Sequence, residues 1–157
     1  MDEYGIQTAE TAVAHQAKAG KYLTFNLGSE EYGIEILKVR EIIGLMNITA
    51  VPCTPNYVRG VINLRGKVIS VVNLRTKFGM ESAEDTEETC IIVMDVSRNG
   101  DMLQIGILVD SVSEVLDISK EDIEDTPSFG TNLDTDFILG MAKSKGSVKI
   151  LLNIDMV

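Results

Sequence analysis

At 157 residues and 45% hydrophobic composition, the chain can bury one continuous core or two small ones, and its length favours a single compact unit. Fourteen Lys and Arg stand against 24 Asp and Glu, a net charge of -10 that argues against nucleic acid or an anionic lipid surface as the partner. The acidic start Met1-Asp2-Glu3, and apolar runs all well short of the roughly 18–20 residues of a bilayer span, argue for a cytoplasmic protein without membrane insertion.

Residues 1–20 are rich in Ala, Thr and Gln, carry no apolar stripe and read as a loose N-terminal tail. Tyr22 to Leu27 alternates apolar and polar residues, Gly28-Ser29-Glu30 turns, and Glu31 to Ile36 returns, which predicts a hairpin. Leu37 to Ile43 fits either a helical turn or a short irregular strand, stopped by Gly44. Pro52 and Pro55 forbid regular pairing, and Asn56 to Gly60 reads as a turn-like lead into a strand at Val61 to Leu64. Arg65-Gly66 makes a tight turn, Lys67 to Leu74 is strongly β-prone, and Arg75 to Gly79 ends the block. The acidic stretch 80–89 reads as a surface loop between two halves. Cys90 to Val96 and Met102 to Val109 flank Asn99-Gly100, a strong hairpin signal. Asp110 to Ile118 resumes the alternation, Ser119 to Asp122 opens a helical turn, and 126–136 is an irregular loop around Pro127 and Gly130. Phe137 to Met156 supplies two more strands around Lys145-Gly146.

The chemistry-bearing residues are sparse. The single histidine, His15, lies in the tail, no Gly-x-Ser-x-Gly elbow or phosphate-binding glycine loop is present, and the glycines fall singly at turns. Cys53 and Cys90 lack partners at metal-ligand spacing and read as two reduced thiols. Ile91 to Asp95 looks like a phosphoacceptor strand but lacks the accompanying acidic pair. The acidic groups at 81–88 and 121–125 lack the glycine-centred spacing of a calcium loop and read as solvated charge. These readings point to a binding protein without catalytic residues, metal or cofactor.

The chain also repeats itself. Gly33 to Ile43 aligns without gaps on Gly106 to Leu116, sharing Gly, Ile, Val and Glu. In the same order, Tyr57 to Gly60 aligns on Phe137 to Gly140, Arg65-Gly66 on Lys145-Gly146, and Val71 to Leu74 on Leu151 to Ile154. A repeat with about five short strands is the size of a small closed barrel, so the sequence predicts a mainly β protein of two barrels with short helical turns, one from 21–80 and one from 89–157, strand exchange allowed. Small barrels share apolar surface to be stable, and the groove between them is a natural binding site.

The segments Glu30 to Ile42, Pro55 to Gly66 and Ile69 to Arg75, together with Gly106 to Val115, resemble the CheW family of chemotaxis coupling proteins from about Lys21 to the C-terminus. That resemblance implies two five-stranded SH3-like β-barrels within one domain over 21–157. It also implies a non-catalytic scaffold that bridges the cytoplasmic tips of chemoreceptors to the CheW-like regulatory domain of the histidine kinase CheA, with other CheW copies as further partners in rings. Carried over residue by residue, Val39, Glu41, Arg59, Gly60, Asn63 and Arg65 contribute to partner surfaces, while Val112 and Val115 face the receptor groove.

Each of these residues also has a structural reading. Glu41 and Arg65 are placed to pair, either as a surface ion pair of little consequence or as a clasp that orients a partner surface. Gly60 and Gly66 serve backbone geometry as readily as contact. Val39, Val112 and Val115 suit a half-buried sheet face as well as a binding groove.

Overall fold

The structure is a computed structural model that describes residues 18–124 and 137–156. The strands are β1 (Gly20–Leu27), β2 (Glu30–Glu35), β3 (Val39–Gly44), β4 (Val58–Leu64), β5 (Lys67–Asn73), β6 (Cys90–Arg98), β7 (Asp101–Val109), β8 (Ser111–Ile118), β9 (Ile123–Glu124), β10 (Ile138–Ser144) and β11 (Ser147–Leu152). One short helix, α1 (Leu74–Lys77), follows β5, and single 3-10 turns occupy Ile36–Lys38, Lys120–Asp122 and Ile154–Met156. Most expected elements are therefore present. Three details differ. The segment 37–43 holds both alternatives, a 3-10 turn and then a strand; β4 begins at Val58, inside the expected turn; and Arg75 to Lys77 is helical, because the Asn73 side chain caps the amides of Arg75 and Thr76. The expected tail, apart from residues 18–20, and the expected loop at 126–136 lie outside the described residues, and Gly20 already belongs to β1.

The strands form two sheets, ordered β8-β1-β2-β11-β10-β9 and β3-β6-β7-β5-β4. They build the two SH3-like β domains, one with the expected five strands and the other with a sixth, the two-residue β9. Sheet membership does not follow the division into 21–80 and 89–157. The β1-β2 hairpin lies with β8 to β11, and the β6-β7 hairpin lies with β3 to β5. The exchange is reciprocal and uses equivalent residues: Gly33 on β2 stands beside Leu151 on β11, and Gly106 on β7 stands beside Val71 on β5, each in a parallel pair. A Cβ on Gly33 would lie 2.9 Å from Leu151 Cδ2, and one on Gly106 would lie 2.7 Å from Ile91 Cγ2. A side chain at either place would therefore force its aliphatic neighbour to shift.

Strand periodicity explains the apolar runs. Successive side chains on β6 point to opposite faces, so Cys90, Ile92, Met94 and Val96 enter a central cluster while Ile91 and Val93 enter the interior of their own domain. The central cluster lies between the sheets, joining Leu23, Phe25, Leu27 and Ile34 of one to Met94, Ile107 and Val109 of the other. Tyr22, Ile118, Leu139, Ala142 and Leu151 make a separate core inside the other domain. Three of the four hairpin turns, Arg65-Gly66, Asn99-Gly100 and Lys145-Gly146, have positive φ at both positions, as a type I′ turn requires, while the Gly28-Ser29 turn has it at Gly28 alone. Cys53 is exposed and Cys90 buried, and both are free thiols.

Candidate partner-binding site

The β4-β5 turn carries the most ordered polar cluster among the expected site residues. Arg65 sits in the left-handed region at φ 54 and sends its guanidinium to Glu41 on β3, Nη1 to Oε2 at 2.7 Å and Nη2 to Oε1 at 2.9 Å. The fork geometry holds both groups in fixed orientation. Hydrogen bonding from Arg65 holds the Glu41 carboxyl below the usual carboxylate range, partly opposed by desolvation. Asn63 supports the turn by accepting the Gly66 amide at 2.9 Å. Beside this clasp lies a polar recess of about 310 Å³ lined by Arg40, Glu41, Leu64, Arg65, Lys67 and Gln104.

Duplication has placed a second clasp at the equivalent point of the other domain. Lys145, at φ 51 in the β10-β11 turn, donates to both carboxylate oxygens of Glu114 on β8, at 2.9 and 3.1 Å. Glu114 aligns with Glu41 and Lys145 with Arg65, and the neighbouring Ile42 and Val115 are equivalent exposed aliphatics.

The other expected site residues are spread over several surfaces. Arg59 reaches Asp85 in the acidic stretch, with Nη2 to Oδ2 at 2.9 Å. Gly60 has φ 148, and a Cβ there would overlap the Thr49 carbonyl oxygen, so this position answers to backbone approach. Val39 and Val112 are half-buried against the central cluster, whereas Val115 is 49% exposed.

Sequence reasoning anticipated a groove between the domains but not its lining. An apolar cleft of about 290 Å³ is bounded by Tyr32, Phe137, Ile138, Ile150 and Leu152 of one domain and by Lys77 and Phe78 at the end of α1. Its aromatic wall is continuous, with ring centroids 5.9 Å apart from Tyr32 to Phe78 and 6.1 Å from Phe78 to Phe137. Lys77 Nζ lies 4.0 Å from the Tyr57 ring centroid and 5.6 Å from that of Phe137, a cation held over two rings that the repeat makes equivalent. That Tyr57–Phe137 match was the only advance signal of the cleft. Among the described residues no group of three or more His, Cys, Asp or Glu is arranged to hold a metal ion, and no helix is long and apolar enough to cross a membrane.

Two duplicated SH3-like domains with exchanged hairpins, polar clasps on their turns and an aromatic cleft between them define a scaffold-type β protein. A CheW-like domain model matches residues 21–157. The chain is 36% identical over 151 residues to the chemotaxis protein CheW of Klebsiella aerogenes, covering 96% of this chain and 88% of that protein. It is 37% identical over 147 residues to the chemotaxis protein CheW of Rhizobium meliloti, covering 93% and 92%. The crystal structure of the scaffolding protein TtCheW from Thermoanaerobacter tengcongensis superposes with a TM-score of 0.76 at 35% identity, over 86% of this chain and 89% of that one. The chain belongs to the CheW family, and its role is that of a chemotaxis coupling adaptor.

Proposed function

We propose that this adaptor bridges the cytoplasmic tips of chemoreceptors to the regulatory domain of the histidine kinase CheA, working without catalysis in the cytoplasm at membrane-associated receptor arrays. The observation that carries this reading is the presence of separate surfaces on one body joined by a common core: the Glu41–Arg65 clasp on one domain and the cleft between the two. An aromatic, apolar cleft suits the apolar face of a helical partner, the form in which a receptor tip would present itself. The clasp, with Asn63 and Arg59 nearby on β4, offers oriented charge that suits a polar protein face. Val39, Val112 and Val115 on β3 and β8 are further contact residues outside the cleft, and Gly60 serves β4 through its close approach to Thr49. Residues 21–157 act as one unit in this scheme, and further copies of the chain are additional partners in the array.

Arg65→Glu places like charges opposite one another at a solvent-facing turn. The variant is expected to melt close to the parent and to lose kinase activation in a reconstituted receptor–kinase array. Full activation by a normally folded Arg65→Glu protein would refute the assignment of the clasp.

A further inference from the structure

The chain passes between the two sheets only twice among the described residues, through Ile36–Lys38 from β2 to β3 and through Asp110 from β7 to β8. Both crossings are tied down by an ion pair that also caps the backbone of a strand end. At the second, Asp110 receives Arg75 Nε at 2.8 Å and Nη2 at 2.6 Å, and its Oδ2 also accepts the Gly28 amide at 2.8 Å. Arg75 Nη1 donates further to the Glu81 carbonyl at 3.0 Å. At the first, Asp155 accepts Lys38 Nζ at 3.0 Å and the Ser97 amide at 2.8 Å.

These two arrangements are the same device with the charges exchanged. The repeat aligns Arg75 with Asp155 and Lys38 with Ser111, the residue after Asp110. The hairpin registers align Gly28 with Ser97, since Thr24 faces Gly33 and Val93 faces Gly106. Each strand-end amide therefore meets a carboxylate. In one half the carboxylate comes from the crossing and the cation from the residue after the sheet; in the other the roles are reversed. Both ion pairs are largely sheltered, with side-chain exposures of 19% and 30% for Arg75 and Asp110 and 28% and 30% for Lys38 and Asp155. Each one joins parts of both sheets. Gly28 belongs to the β1-β2 hairpin and Arg75 follows β5 of the other sheet; Ser97 lies on β6 and Asp155 follows β11 of the other sheet.

We propose that these two charge-exchanged clasps set the orientation of one domain against the other, making Arg75, Asp110, Lys38 and Asp155 positioning residues of the adaptor. The central apolar core holds the domains together but is non-directional, whereas forked and amide-capped carboxylates fix an angle. The Arg75 clasp has a second consequence. It anchors α1, whose Lys77 and Phe78 form one wall of the cleft, so it also fixes the width of that cleft. This last step rests on the cleft being the receptor-binding surface.

The orientation is measurable without any partner. Spin labels at Val68→Cys on β5 and Val148→Cys on β11, in a Cys53→Ser background that leaves only the buried Cys90, report the distance between sheets. With Arg75→Gln the distance distribution is expected to broaden, and the Gly28 amide to exchange about tenfold faster or more while the Ser97 amide keeps its rate. Asp155→Ala, which removes the oxygen that accepts the Ser97 amide, is expected to speed exchange at Ser97 and leave Gly28 unchanged. Arg75→Lys, which retains the charge but not the fork, is expected to fall between parent and Arg75→Gln and serves if the latter fails to fold. The decisive rescue is the combination Arg75→Asp, Asp110→Asn and Ser111→Lys, which transplants the residues of the Asp155 clasp and should narrow the distribution again. Unchanged distance and Gly28 exchange in Arg75→Gln would overturn the proposal, as would a transplant no narrower than Arg75→Asp alone. Broadening with undiminished binding of a receptor cytoplasmic fragment would uphold the clasps and instead remove the cleft as the receptor site.

Discussion

Replacing Gly60 by alanine separates a backbone requirement from a partner-binding one. At φ 148 the residue occupies a conformation that side-chain-bearing residues rarely adopt, and the added Cβ would overlap the Thr49 carbonyl oxygen. That oxygen cannot simply move, because Thr49 and Val61 exchange two backbone hydrogen bonds, each 2.9 Å long, that fasten the preceding segment to β4. Backbone strain contributes about 1–3 kcal/mol. Loss of the two bonds adds about 0.5–1.5 kcal/mol each. A total of about 2–6 kcal/mol, at roughly 2–4 °C per kcal/mol for a chain of this size, lowers the melting temperature by about 4–24 °C. Gly66→Ala is the control, since φ is 84 but nothing lies within 4 Å of the added Cβ, leaving strain alone. Thermal and urea melts of the two variants side by side measure the difference. A Gly60→Ala protein no less stable than Gly66→Ala would refute the close-approach argument.

Phe25 is fully buried in the cluster between the sheets, so Phe25→Ala should cost about 3–5 kcal/mol and shift one cooperative transition in calorimetry rather than split it into two. Thiol titration of the native protein should modify Cys53 quickly and Cys90 only after denaturation, because burial both covers the Cys90 thiol and pushes its pKa up. The Arg75 guanidinium holds the Asp110 carboxyl below the ordinary carboxylate range, so the stability it contributes is complete above pH about 4 and disappears as pH falls through the depressed pKa. Asp110→Asn should accordingly be less stable than the parent at pH 7 and lose less on acidification, as read from urea midpoints at each pH.

Local structure was legible wherever one residue type imposed it. Asn99-Gly100 marked its hairpin and the apolar run at Cys90 to Met94 marked one of its strands, which the structure buries on both faces. The aligned Gly33 and Gly106 marked the repeat, and the structure gives the reason: each abuts a neighbouring aliphatic side chain. What stayed hidden was pairing between distant segments. Nothing in Tyr32 to Glu35 specifies β11 rather than β5 as its parallel neighbour, because Leu151 and Val71 are chemically alike and occupy equivalent positions. The dual character of Leu37 to Ile43 arises because Leu37, 92% exposed, lies at a crossing between sheets and not on a packed face. Among the described residues β9 has only two, too few for any periodicity to reveal. Glu41 and Arg65 offered complementary charge for a pair, but no local geometry brings them together, since β3 stands at the opposite end of its sheet's strand order from the β4-β5 hairpin. The aromatic cleft could not be, since its wall is assembled from β2, β11, the start of β10 and the end of α1.

The central claim, that one chain carries two partners at once, is tested most directly by asking whether the protein delivers a receptor cytoplasmic fragment to an immobilised CheA regulatory domain. The account predicts a three-component complex, with receptor fragment retained only when this chain is present. Mutual exclusion, in which added receptor fragment displaces the chain from CheA, would contradict it.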